Sequence, residues 1–231
     1  MLLHHWMRGA QPVVMVMSDG SGGADVSRID YSRRHIESVG GTLAAHSGRV
    51  PDRDWYSAIR DGDVTFFESF ITSSLELLAQ AQPDYLVCDA VEHYNPLHDL
   101  ANVVGHCVRS QLDPALPVYT FAIMKNPQRQ DDGKQLELST ADMAMRHQAA
   151  RNYLPLAHEL PSHIAQLKTP SETLHRDSGY GWPDDPGEKP YYEVFGEERV
   201  SRGIYSEVIT YRQHIQPLAR ALMARFARAE A

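Results

Sequence analysis

Short apolar runs alternate with amphipathic stretches along the first half of the chain. Residues 12–17 and 85–88 are continuously apolar, as is typical of strands buried on both faces of a sheet. Residues 64–81 instead place their apolar side chains at helical spacing and end before Pro83. Strands that alternate with helices build a sheet with helices on both faces. The pattern therefore predicts an α/β fold with a doubly wound, mostly parallel, Rossmann-like sheet.

Capping residues, breakers and periodicity predict the remaining elements. These are a helix from Asp25 to about Val39, strands at 42–45 and 117–124, one or two helices over 136–167, and a closing helix over 204–231 with a kink at Pro217. Residues 169–198 are rich in Pro, Gly, Asp and aromatics and are predicted to form a long loop. We expect one domain, 1–231, with a core over 1–125 and a helical and loop extension over 126–231 that covers the site.

The composition narrows the classes of partner. The chain has 231 residues and a net charge of -8, and it carries no run of Lys and Arg, which disfavours nucleic acid and anionic membranes as partners. Two cysteines, Cys88 and Cys107, stand too far apart for a metal-binding pair. The sequence has no apolar run that could span a membrane and no secretory signal. These features predict a cytoplasmic protein that acts on a small molecule.

The richest polar stretch follows the strand predicted at 85–88 and contains His93, Asn95, His98 and Asp99. Asn95 is a good helix N-cap and Pro96 a good first helical residue, so a helix should start here and present His98 and Asp99 in its first turn. A lone histidine is most often a surface or core residue, but this clustering at the end of a strand favours a metal or catalytic site.

A second loop follows the first predicted strand and contains Asp19 and Gly20. The carboxyl ends of parallel strands meet at one edge of a sheet, where α/β proteins bind ligands. Asp19 can contribute a carboxylate there, or the loop can simply cap the next helix. The glycines do not form a phosphate-binding signature, because the spacing and the lysine of that motif are absent.

These motifs resemble, in order, those of the PIG-L/LmbE family of zinc-dependent N-deacetylases. In that family a strand ends in an Asp-Gly pair, a helix carries Arg and Glu, and a later strand leads to a His-Pro-Asp-His motif. Here Val13 to Gly20 resembles the first, Arg34 and Glu37 match the second, and Asn95 to His98 stands in place of the third. The resemblance covers roughly residues 1–125.

The resemblance implies a zinc cofactor with His98 as its third ligand. The other two ligands and the catalytic base belong to a His-Pro-Asp-Asp motif that this chain lacks, so an upstream segment or a naturally shortened relative is expected. Asn95 replaces a His that assists the reaction, and Leu97 replaces an Asp that orients the ligand. The predicted catalytic residues are therefore Asn95, His93 and Asp99. The predicted substrate-binding residues are Asp19, Gly20, Arg34, Glu37 and Tyr94.

The resulting hypothesis is a zinc-dependent hydrolase that removes an acyl group from an N-acylated sugar or a related small molecule. The alternative is a catalytically inactive protein that binds a ligand or partner on the same scaffold, through residues 179–187 and the following tyrosines. Loss of the first strand would expose a sheet edge, so the sequence also leaves a homo-oligomer open.

Overall fold

A computed structural model describes residues 3–22, 26–124, 133–156 and 169–228. In chain order its elements are α1 (His4–Ala10), β1 (Val13–Val14), α2 (Ile29–Ser38), β2 (Thr42–Leu43), α3 (Asp52–Asp61), α4 (Val64–Ala81), β3 (Leu86–Asp89), α5 (Pro96–Leu112), β4 (Val118–Phe121), β5 (Lys134–Glu137), α6 (Thr140–Asn152), β6 (Ser171–Arg176), α7 (Tyr191–Ser201), a π-helical turn (Tyr211–Ile215) and α8 (Gln216–Arg225). The predicted cap Asp25 and residues 157–167 of the predicted helices lie outside the described residues.

The chain divides into two compact units, Met1–Arg53 with Phe121–Arg176, and Asp54–Thr120 with Asp177–Ala231. Both units contain helices and strands, so the predicted α/β class is confirmed. Within the described ranges, no helix is both long enough and apolar enough to cross a membrane.

The first unit contains two kinds of strand pairing. β1 and β2 are parallel, with Val13 opposite Thr42 and Val14 opposite Leu43. β5 and β6 are antiparallel, with Lys134 opposite Leu174. The strand pairs of this unit are therefore of both directions. The antiparallel pair of β5 and β6 was not expected from the sequence.

β6 corrects the prediction that residues 169–198 form one long loop. This strand has a single aliphatic residue, Leu174, which is fully buried, so it lacks the apolar alternation that marks a strand. Its Glu172 is also buried, because the carboxylate accepts hydrogen bonds from the backbone N–H groups of His5 and Trp6 at 3.0 and 2.7 Å. These contacts satisfy donors in the first turn of α1 that have no partner within the helix.

α7 is a second correction within the same range. Pro190 precedes the first turn of α7, where a missing N–H removes no helical hydrogen bond, so it does not act as a breaker there. Gly196 lies inside the helix, and a Cβ at this position would come within 3.0 Å of Val208. Proline and glycine therefore serve helix entry and close packing at these positions.

The second unit places its core between α4, α5 and α8. α4 has the predicted limits, with the Asp63 side chain accepting from Phe66 N at its start and Gln82 in the left-handed region at its end. Side chains at most 2% exposed fill this core, namely Phe67, Ile71, Leu100, Val103, Ile215, Leu218 and Leu222. The closing helix begins at Tyr211 rather than at residue 204, and Pro217 lies in the first turn of α8.

Candidate functional site

The start of α5 is built by its own sequence, as predicted. Asn95 has an extended backbone, and its Oδ1 accepts hydrogen bonds from Leu97 N at 2.9 Å and His98 N at 3.4 Å. Pro96 occupies the first helical position. This cap holds the first turn of α5 beside the carboxyl end of β3, within the second unit.

His98 pairs with Asp89, the last residue of β3. Nδ1 of His98 lies 2.7 Å from Oδ2 of Asp89, and the histidine side chain is 46% exposed. Burial alone would lower the pKa of His98, but Asp89, through its charge and hydrogen bond, and the charges of Asp99 and Glu92 outweigh it and raise the pKa. With the proton of the neutral ring held at Nδ1, the lone pair lies on Nε2. Nε2 makes no hydrogen bond within the described part of the chain.

A second histidine and carboxylate pair joins His93 to Asp99. Asp99 is 1% exposed and accepts hydrogen bonds from the backbone N–H groups of Glu92 and His93. Its Oδ2 lies 3.2 Å from Nδ1 of His93, and Nε2 of His93 lies 2.8 Å from the hydroxyl of Tyr180. The structure therefore brings His93 and Asp99 together and adds Tyr180 to the pair.

A third pair lies two turns further along α5. Nε2 of His106 is 3.0 Å from Oδ2 of Asp177, and Asn102 Nδ2 donates both to this oxygen and to the carbonyl of Asp89. Burial alone would raise the pKa of Asp177, but hydrogen bonds from His106, Asn102 and Gly179 N hold it at about 2. Asn102 thereby connects the Asp177 carboxylate to Asp89, the last residue of β3 and the partner of His98.

Tyr94 lies in a partly exposed aromatic surface formed with Tyr191 and Phe195. The rings of Tyr94 and Tyr191 stack with centroids 5.1 Å apart, and Phe195 continues the stack at 6.1 Å. Tyr191 is 52% exposed, and its N–H donates to the carbonyl of His93. This aromatic surface is thus attached directly to the loop that leads to His98.

The other predicted substrate-binding residues belong to the first unit. Asp19 turns its Oδ1 back onto Ser21 N at 2.9 Å, and Gly20 has a φ of 68°, so the Asp-Gly pair forms a tight local turn. On α2, the Arg34 guanidinium lies 4.6 Å from the ring centroid of Tyr31, and Glu37 is exposed. His93, Tyr94, Asn95, His98 and Asp99 all belong to the second unit, and the structure brings these five together.

Comparisons of the chain with known proteins return nothing. No family model, curated protein or solved structure matches it. The resemblance to the PIG-L/LmbE family therefore stays a prediction from the motifs.

Five residues of this cluster were not predicted from the sequence, namely Asp89, Asn102, His106, Asp177 and Tyr180. Asp89 carried a usable signal, because it directly follows a predicted buried strand and precedes the polar stretch. His106 and Asn102 lie at helical spacing from His98, but that spacing also describes ordinary core positions. Asp177 and Tyr180 had no local signal, since their partners lie 71 and 87 residues away.

Proposed function

We propose that this chain carries part of the site of a zinc-dependent hydrolase that removes an acyl group from an N-acylated sugar or a related small molecule. The observation that supports it best is the pair of His98 and Asp89. A carboxylate on one ring nitrogen and a lone pair on the other is the usual arrangement around a metal-bound histidine. The pair also lies at the carboxyl end of a strand, where α/β proteins bind ligands.

The described residues fit one ligand of such a metal rather than a complete site. Among them, no group of three or more His, Cys, Asp or Glu side chains is arranged to hold a metal ion. A catalytic zinc needs three protein ligands, so the other two would have to come from elsewhere. A bound zinc would supply an activated water and polarise the acyl carbonyl.

The other residues near His98 have roles that do not depend on the metal. Asn95 Oδ1 is used as the helix cap, while Nδ2 has no acceptor among the described residues. An amide N–H can stabilise a negatively charged oxygen but cannot release a proton at neutral pH. The aromatic surface of Tyr94, Tyr191 and Phe195 presents apolar area to a ring of the substrate. Membership of the PIG-L/LmbE family, with its doubly wound parallel sheet and cytoplasmic location, is part of the same proposal.

The partly exposed aromatic surface also favours a second candidate, a protein that binds its ligand without catalysis. Tyr191 keeps half of its surface exposed although it stacks on Tyr94. Tyrosine rings contribute large contact areas at low entropic cost, and they are enriched at binding interfaces. On this candidate, zinc content and acyl release are both absent, while a ligand still binds.

Zinc retention and acyl release separate the two candidates. Both are measured on the product of the complete reading frame that contains this chain, with zinc quantified by mass spectrometry and acetate release followed on N-acetylglucosamine and related N-acetyl sugars. We expect His98→Gln to abolish zinc retention and Asp89→Asn to weaken zinc binding about 10-fold to 100-fold. Asp84→Asn and His147→Gln, which change residues outside the site, serve as matched controls.

Two results would reject the hydrolase. The first is equal zinc retention by His98→Gln and the unaltered protein, because His98 would then not be a ligand. The second is a fully zinc-loaded protein that releases no acyl group from any substrate of this class. A protein without zinc whose Tyr191→Ala variant loses binding of an N-acetyl sugar would support the second candidate.

A further inference from the structure

Asn102 lies one turn after His98 in α5 and is 1% exposed. Its Nδ2 donates to the carbonyl oxygen of Asp89 at 3.1 Å and to Oδ2 of Asp177 at 2.8 Å. A carbonyl and a carboxylate can only accept, so these contacts fix the orientation of the amide and use both of its N–H groups. Asn102 therefore holds the backbone of Asp89, while the side chain of Asp89 pairs with His98.

The Asp177 carboxylate, to which the Asn102 amide is attached, is itself fixed. The backbone N–H of Asp177 donates to the carbonyl of Val118, the first residue of β4, at 2.9 Å. Its Oδ1 accepts from Gly179 N at 2.8 Å, and its Oδ2 lies 3.0 Å from Nε2 of His106. Because these contacts hold the carboxylate from several sides, it is a rigid support for the amide.

Helix α5 approaches β3 closely enough for the Asn102 amide to reach the strand. At Gly105, one turn after Asn102, an added Cβ atom would overlap the sulfur of Cys88, the residue that precedes Asp89. Glycine has no Cβ and permits this close approach of helix and strand. At this spacing a side chain as short as asparagine bonds directly to the strand backbone.

The carbonyl half of the Asn102 amide makes no comparable contribution. Among the described residues, its Oδ1 is buried and has no hydrogen-bond donor. A buried acceptor without a donor destabilises the fold, and such groups are uncommon in native structures. What this side chain contributes is therefore its two N–H groups, which hold Asp89 and Asp177 together.

We propose that Asn102 is a positioning residue for the histidine that binds the metal, because it fixes Asp89 and thereby the tautomer of His98. The inference rests on the proposed hydrolase function, in which Nε2 of His98 is the ligand atom. Without the Asn102 amide, β3 loses this attachment to α5, and Asp89 moves relative to His98. The neutral ring then places its proton on either nitrogen. Nε2 carries the lone pair for only part of the time, and its affinity for a metal falls.

The test reads the tautomer of His98 in the metal-free protein. The product of the complete reading frame is prepared with isotope-labelled histidine, and the ring nitrogens are observed by NMR at a pH at which the His98 ring is neutral. The signals of His98 are those that are missing from His98→Gln. We expect the unaltered protein to carry the proton on Nδ1. Asn102→Leu, which keeps the approximate shape of the side chain, and Asn102→Ala should both show a mixture of the two tautomers.

Val103→Ala is the matched control, since Val103 is the next residue of α5 and is fully buried. Thermal unfolding shows that each variant folds and how much stability it has lost. We expect Val103→Ala to lower the Tm, as the Asn102 variants do, but to leave the tautomer of His98 unchanged. The zinc affinity, measured by competition with a chelator, should fall about 10-fold for the Asn102 variants and stay unchanged for Val103→Ala.

The outcomes separate this inference from the function on which it rests. A proton on Nε2 of His98 in the unaltered protein overturns the inference without the use of any variant. The same tautomer in the Asn102 variants and the unaltered protein, or an equal change of tautomer in Val103→Ala, also overturns it, and neither result bears on zinc retention. If the unaltered protein retains no zinc, the hydrolase is refuted, and the role of Asn102 in positioning a metal ligand is refuted with it.

Discussion

Replacing Asp177 by Asn is expected to destabilise the protein by about 2 kcal/mol near neutral pH. The Asp177 side chain is 17% exposed and accepts hydrogen bonds from His106, Asn102 and Gly179 N. Burial alone would raise its pKa, but these donors hold the pKa at about 2 against an ordinary value of 3.8. One pKa unit corresponds to about 1.4 kcal/mol, so the shift stabilises the folded state by about 2 kcal/mol.

The sign of the shift determines its dependence on pH. The pKa of Asp177 is lower in the folded than in the unfolded protein, so the stabilisation is fully present above the unfolded value of 3.8. It is lost as the pH falls through about 2. For a chain of this size, about 2 kcal/mol corresponds to a Tm difference of about 4–8 °C near neutral pH. Thermal unfolding followed by circular dichroism at a series of pH values measures both quantities.

The matched control is Asp185→Asn, since Asp185 lies in the same segment and its side chain is 72% exposed. We expect that substitution to change stability by less than about 0.5 kcal/mol. Equal Tm values for Asp177→Asn and the unaltered protein near neutral pH would refute the reasoning. A Tm difference that stays constant as the pH is lowered to about 2 would also refute it, because the carboxylate would then not be the cause.

Three further substitutions test the packing and the helix ends. Gly105→Ala would place a methyl group against the Cys88 sulfur, and we expect a loss of about 1–3 kcal/mol in urea unfolding, with partial recovery in the double variant Gly105→Ala/Cys88→Ala. Glu172→Ala removes the acceptor at the first turn of α1 and should cost about 1–3 kcal/mol, with faster hydrogen exchange confined to α1. Asn95→Ala should cost about 1 kcal/mol, whereas Asn95→Asp, which keeps an acceptor, should unfold like the unaltered protein.

Local signals in the sequence predicted part of the fold well. The limits of α4 and the start of α5 agree with the prediction because they depend on neighbouring residues, the cap at Asp63, the cap at Asn95 and the proline that follows it. β6 and α7 were missed because the sequence offers one aliphatic residue for the strand and a proline and a glycine at the helix. In both cases long-range contacts outweigh weak local preference.

In the candidate site, too, some features follow from local sequence and others from long-range contacts. By itself, the sequence determined that His93, Asn95, His98 and Asp99 lie together at a strand end and a helix start, because all of them fall within one short segment. Only the tertiary structure decided the partners of the histidines beyond that segment. Pairing of His106 with Asp177 and of His93 with Tyr180 closes loops of 71 and 87 residues, and packing of the whole second unit offsets the entropic cost of closing them.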